Sequence, residues 1–338
     1  MSSVARSLAL LALPVFSAVA GTTPPAATVA QRTTRFTYQA EIAPIEVGQG
    51  PVHVFIPIAQ DDEHQTILSC KADTSIPGAV ELEEANGNRF WHGVVPSADG
   101  QPIKVSFEYI VRRKAWRVAD LDRSIPRDLS KAEREANASN LDAELHVPIK
   151  DPVLDPILAE IHAKAGTRGK SATARAIYDW LVDNLKYDKT GTGWGQGDVY
   201  WACSQRYGNC TDFHSLFNSL ARTEGIPARF EIGFPIPADK PSGQLGGYHC
   251  WTLFYLPKLG WVPADASEAA KNKARREELY GGQPADRIHF TTGRDLRLSP
   301  DQQSGPLNFF IYPLVEVGGK KLDGGVTTKF TFEDLTAH

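Results

Sequence analysis

The sequence predicts an α+β protein in two parts, an N-terminal antiparallel β-sandwich followed by a mixed domain of helices and strands. Three observations predict it. Between Arg35 and Asp120 short β-rich runs alternate with turn formers. From Pro152 the apolar residues recur at helical spacing, and beyond Gly225 strand-like runs return. Composition fits: 42% apolar and 22% charged over 338 residues is a globular chain long enough for two cores. That excludes long disorder and a disulfide-framework miniprotein. With 36 basic residues against 40 acidic ones, the net charge of −4 is too small and too mixed in sign for a nucleic-acid partner.

Residues 1–20 stand apart from the fold. Arg6 is their single charge, Leu8 to Ala20 is apolar around Pro14, and the run ends in Ala18-Val19-Ala20 before Gly21. This is the pattern of a cleaved secretory signal. An apolar run of about 13 residues is shorter than the roughly 20 that cross a bilayer, so no membrane span is expected in the mature chain. The expected location is periplasmic or secreted. Residues 21–34, rich in Thr, Pro and Ala at the start, read as a flexible leader.

The β-sandwich is expected over 35–120, with strands at Phe36 to Ile42, Val52 to Ile58, Thr66 to Lys71, Val80 to Leu82, Phe90 to Val95 and Ile103 to Arg112. Residues 121–150, polar from Lys131 to Asn140, read as a linker. The second domain is expected over 151–338. Ile157, Leu158 and Ile161 mark one helix; Ile177, Trp180, Leu181 and Leu185 mark another, capped by Ser171 or Thr173. A third starts near Cys210, carries Phe213, Leu216, Phe217 and Leu220 on one face, and stops at Gly225. Strands follow at Ala228 to Phe234, Tyr248 to Leu256 and Trp261 to Ala264, then at Asn308 to Val317 and Val326 to Phe332.

Three residues in this second domain carry chemistry. Cys210 opens a helix, where unpaired amides and the positive end of the dipole favour the thiolate. His249 lies near the start of a strand, and Asp265 ends the next one across the hairpin Pro257 to Gly260. Neighbouring antiparallel strands bring two such positions side by side, so the carboxylate can fix the imidazole tautomer and support the imidazolium.

These residues stand in motifs that resemble a known family. Tyr207-Gly208-Asn209-Cys210-Thr211-Asp212-Phe213, with Leu216-Phe217 and then Gly225-Ile226-Pro227-Ala228-Arg229, is similar to the nucleophile motif of the transglutaminase-like superfamily. Tyr248-His249-Cys250-Trp251 and Gly260-Trp261-Val262-Pro263-Ala264-Asp265 resemble its His and Asp motifs, in the same order. The resemblance implies a papain-like α+β core. It also implies attack by Cys210 on a carboxamide of a protein or peptide, giving a thioester that passes to water or to an amine. Hydrolysis and cross-linking stand level at this point. No cofactor and no metal are implied. Where the family leads one to expect a small or apolar residue after the His, this chain has Cys250. The rival from another class is a non-catalytic binding or scaffold module of the cell envelope with the same fold.

Other residues invite plainer readings. His214, one turn beyond Cys210, has no orienting acid legible in the sequence and reads as a packing residue. Asp212 is expected to complement the dipole of its helix. The Gly-rich stretch around Gly191, Gly193, Gly195 and Gly197 reads as a flexible loop forming one wall of the cleft, with Trp194, Trp201 or Gln205 near the oxyanion. In an oxidising compartment one pair among Cys70, Cys203 and Cys250 could bridge. The basic run from Lys271 to Arg276 reads as a solvated face.

Overall fold

The computed structural model describes residues 30–121, 128–166 and 169–335. The expected signal over 1–20, most of the leader and residues 122–127 of the linker lie outside the described residues.

The chain opens with β1 (Gln31–Ile42), β2 (Val52–Pro57), β3 (Gln65–Thr74), β4 (Gly78–Glu83), β5 (Asn88–Val95) and β6 (Ile103–Lys114). In β1 every second residue from Arg32 to Ile42 is buried, and β6 does the same from Ile103 to Arg113. That is the period of a strand with one face in a core. β1 starts inside the expected leader because its ladder to β6 continues out to the Gln31–Lys114 pair.

Next come β7 (Trp116–Arg117), α1 (Lys131–Ala136), α2 (Asp155–Ala165), α3 (Lys170–Asn184), β8 (Lys186–Tyr187), α4 (Val199–Gln205), β9 (Tyr207–Gly208) and α5 (Cys210–Thr223). Ser171 and Thr173 do not cap α3: Gly169 stands at the cap, and the Ser171 hydroxyl instead donates to the Leu121 carbonyl. The expected loop before Cys210 contains α4, nucleated by Asp198, whose side chain accepts the Tyr200 amide at 2.9 Å. The remaining elements are β10 (Ala228–Pro235), β11 (Ser242–Leu245), β12 (His249–Leu256), β13 (Gly260–Ala264), α6 (Ala266–Lys271), β14 (Gly282–Gln283), β15 (Arg287–Thr292), β16 (Leu314–Val317), β17 (Lys320–Lys321) and β18 (Val326–Asp334).

Three sheets organise the molecule, in the strand orders β11-β18-β1-β6-β3, β17-β16-β2-β5-β4 and β13-β12-β10-β15. The first two form the sandwich, meeting through contacts such as Trp91 to Phe107, 6.2 Å between ring centres. The expected boundary near residue 150 does not divide the strands. β18 runs along β1 from Thr34–Asp334 to Ile42–Val326, and β16 pairs with β2. The sandwich edges that β1 and β2 would otherwise leave open are thereby covered by the chain's last strands.

The third sheet shares the sandwich core. Phe234 of β10 lies 4.9 Å from Phe36 and 4.5 Å from Phe330, and Phe290 of β15 lies 5.7 Å from Phe36. Helix α5 packs on β12 of the same sheet, with Phe217 against Phe254 at 5.6 Å, and is buried from Cys210 to Arg222. A helix so enclosed, over a sheet so braced, gives rigid support to whatever its N-terminus carries. Among the described residues no helix is long and apolar enough to cross a membrane.

Candidate active site

Local sequence fixes where α5 begins. Asn209 caps it, its side chain accepting the Thr211 amide at 2.8 Å, while Asp212 reaches back to accept the Asn209 amide at 2.9 Å. This reciprocal box makes Cys210 the first residue of the helix. Asp212 does more than complement the dipole. Its carboxylate also accepts the Gly195 amide at 2.7 Å and the Gly197 amide at 2.9 Å, and Arg294 donates to the carbonyls of Gln196 and Gly197. The Gly-rich loop, expected to be flexible, is pinned to α5. Gly197 sits at φ +63 with Ser215 and Arg294 packed against it, a place with no room for a side chain.

His249 opens β12, and β13 delivers Asp265 to the cap of α6. The two meet with His249 Nε2 2.6 Å from Asp265 Oδ2. The same oxygen accepts from Arg287 Nη2 at 2.9 Å, while Asp265 Oδ1 accepts the Glu268 amide at 2.9 Å and the Ser267 hydroxyl at 3.0 Å. Every lone pair of this buried carboxylate therefore has a use. Burial alone would raise its pKa, but the His249 charge and hydrogen bond, followed by Arg287, hold it well below the usual carboxylate range. Burial disfavours a charged His249, yet the Asp265 charge outweighs that and raises the imidazole to about 9.

With Nε2 engaged by Asp265, the other face of the ring serves Cys210. Burial opposes ionisation of this thiol; hydrogen bonds from Cys250 and His249, together with the His249 charge, overcome it and bring the pKa well below the ordinary thiol value. Cys210 is only 2% exposed, but with His249 it lines an open cleft of about 740 Å³. Tyr248 and Tyr312, their ring centres 5.9 Å apart, line it together with Tyr187, Lys189 and Trp194.

The structure thus brings Cys210, His249 and Asp265 together, and it separates the three loop candidates. Trp194 lines the cleft, its indole donating to the Gly191 carbonyl at 3.2 Å. Trp201 does not line it: α4 turns that ring onto Tyr207 at 4.9 Å, against the helical core. Gln205 is exposed at the end of α4, bonded to Ser204. All four cysteines are free; Cys70 is exposed on β3, Cys203 lies on α4 and Cys250 is buried behind Cys210. The run from Lys271 to Arg276 is solvent-exposed through Ala274, as expected, and part of it also borders the cleft. Lys271 and Arg275 line the cleft, Lys271 sits 4.3 Å over the Tyr187 ring, and Arg276 pairs with Asp183 at 2.6 Å.

Sequence reasoning missed Arg287, which arrives from β15, two strands away from β12, with no motif around it. It also underread His214. That side chain is fully buried, with Nε2 3.6 Å from Asp265 Oδ1, so the acid the sequence did not provide comes from the next motif. Burial lowers its pKa, leaving it neutral beside the charged pair.

A cysteine at the N-terminus of a buried central helix, packed on an antiparallel sheet that supplies His and then Asp, defines the papain-like class of α+β cores. Residues 157–266 match the core domain of the transglutaminase-like superfamily. An uncharacterised protein of Haemophilus influenzae is 32% identical over 192 residues, 47% of this chain and 52% of the relative. The chain thus spans about half the length of that curated relative. The uncharacterised protein YebA of Bacillus subtilis is 30% identical over 79 residues, 21% of this chain and 11% of YebA. Among solved structures, a candidate cysteine protease from Cytophaga hutchinsonii superposes with a TM-score of 0.59 at 17% identity, covering 92% of this chain and 94% of that one. Its likeness extends through the sandwich as well as the core.

Proposed function

We propose that this chain is an exported cysteine amide hydrolase acting on proteins or peptides through a thioester on Cys210. The observation that carries the reading is the buried line of Asp265, His249 and Cys210, in which a carboxylate 2.6 Å from His249 Nε2 sustains an imidazolium and the imidazolium sustains a thiolate. The thiolate attacks the carboxamide carbon, and the developing oxyanion falls at the N-terminus of α5, where the helix dipole favours negative charge. His249 gives its proton to the leaving amine, then takes one from the water that cleaves the thioester. Asp265 holds the ring through both steps, and Arg287 and the α6 amide hold Asp265.

Water is the acceptor that the cleft favours. At about 740 Å³ and open to solvent, with lysine, glutamate and tyrosine side chains in its lining, it does not shut water away from a thioester on its floor. The meeting of Cys210, His249 and Asp265 at the cleft favours turnover over a binding module of the same fold. Export rests on the pattern in residues 1–20.

The test is incubation of the mature protein with a library of peptides and peptide amides, followed by mass spectrometry. Products that gain water or exchange ammonia for hydroxyl, absent with Cys210→Ala, are expected. Products joined to an added amine in preference to water would make the protein an acyltransferase instead, and no product from a folded, alkylatable enzyme would favour the binding module.

A further inference from the structure

The second thiol at the site takes no covalent part in the proposed reaction. Cys250 follows His249 on β12 and is fully buried, with Sγ 3.7 Å from His214 Nδ1 and 3.9 Å from Thr211 Oγ1. Thr211 is the residue after Cys210, and His214 lies one turn further along α5, so Cys250 points at the patch of helix that Cys210 begins. It belongs to the same buried cluster as Cys210. Burial, then the neighbouring Cys210, holds Cys250 protonated. Two free cysteines, one on the floor of an open cleft and one buried, therefore approach the same first turn of α5.

We propose that Cys210 and Cys250 form a reversible oxidation site, in which a peroxide entering the cleft oxidises Cys210 and Cys250 resolves the product as a disulfide. The proposal rests on Cys210 being a thiolate. That thiolate attacks the O–O bond of the peroxide, forming an S–O bond; the second oxygen leaves and becomes water (for an alkyl peroxide, an alcohol) on taking up a proton. The Cys250 sulfur then attacks the sulfenic sulfur, the S–S bond forms, and the hydroxyl departs as water with the proton of the Cys250 thiol. The two thiols lose two electrons and the peroxide gains them. A dithiol reductant reverses the step by exchange. The other two cysteines are badly placed to resolve Cys210, since Cys70 lies on β3 of the sandwich and Cys203 on α4 packs against the helical core. The disulfide removes the nucleophile while it lasts and spares it the irreversible sulfinic and sulfonic states.

The experiment treats the full chain with stoichiometric hydrogen peroxide, blocks remaining thiols with iodoacetamide under denaturation, and maps the digest by mass spectrometry. The expected product is a linked pair of peptides containing Cys210 and Cys250, two hydrogens lighter than their sum. It should be released by dithiothreitol, with loss and return of Cys210 alkylation in step. Cys250→Ala should instead carry Cys210 to the sulfinic acid; should that variant fail to fold, Cys250→Ser, close in size, replaces it. Sulfinic acid at Cys210 of the unaltered chain with Cys250 still alkylatable, or a bridge to Cys70 or Cys203, overturns the proposal. If Cys210 reacts with neither peroxide nor iodoacetamide at neutral pH in the native protein, the thiolate reading itself fails, and the proposal with it.

Discussion

Asparagine in place of Asp265 keeps the outline of the carboxylate and removes its charge from a point 2.6 Å from His249 Nε2. At an effective dielectric near 20, opposite charges at that distance attract by about 6 kcal/mol. Burial of the imidazolium and the repulsion of Arg287 act against the attraction. What survives is the rise of His249 from 6.5 to about 9, equivalent to about 3 kcal/mol in favour of the charged ring. The sign follows directly. The imidazolium persists up to about pH 9 and is lost above it, so turnover that needs it as an acid should decline on that limb. In Asp265→Asn, with burial and the charge of Arg287 left unopposed, the falling limb should move down below the ordinary histidine value of about 6.5. Turnover at neutral pH should fall by about a hundredfold, the rate equivalent of those 3 kcal/mol, while a measurable remainder persists. Iodoacetamide capture of Cys210, followed by mass spectrometry from acid to alkaline pH, reads the thiolate independently of any substrate. Its rate below neutrality should drop, because the ion pair that sustains the thiolate is weakened. An Asp265→Asn protein with an unchanged pH profile for both turnover and capture would refute the reasoning.

Three further outcomes are expected. His214→Ala should leave the alkaline limb of turnover near pH 9, because the neutral imidazole of His214 is not the group that titrates there; loss of Cys210 capture at low pH in this variant, and not in His249→Ala, would make His214 the base. Asp212→Ala leaves the buried amides of Gly195, Gly197 and Asn209 without their acceptor, at about 1 kcal/mol or more each, so thermal unfolding should shift down and limited proteolysis should cut within residues 191–197. Phe234→Ala removes a ring shared between the sandwich and the site sheet and should cost about 3–5 kcal/mol. Calorimetry should still record one transition, and separate transitions would mean that the two cores are independent.

The site was legible to the extent that local rules place its residues. Asn209 and Asp212 advertise a capped helix start within four residues, and the turn between β12 and β13 keeps His249 and Asp265 side by side, so Cys210, His249 and Asp265 could be found without knowing the fold. Arg287 could not, because its reach to Asp265 depends on the order of strands across the sheet, and nothing in its neighbours encodes that order. The choice among Trp194, Trp201 and Gln205 turned on α4, seven residues long, too short to carry a period. The alternation of β18 announces a strand but not its partner, and so the expected separation of a sandwich ending at residue 120 from a later domain missed the pairing with β1. His214 looks like a packing residue, and Cys250 like one of three candidates for a bridge, until α5 and β12 are laid face to face.

That pairing of β1 with β18 also sets an order of events. Residues near position 36 wait for partners near position 332, so a growing chain cannot close its first sheet until the strand Val326–Asp334 has been made. Contacts this distant in sequence make folding slow and late. The helix that carries Cys210 leans on a sheet whose aromatic residues are buried against those same closing strands. Cys210 therefore acquires its buried environment only in the last stage of folding. Under the function proposed above, the reactive thiolate would form only once these strands have closed.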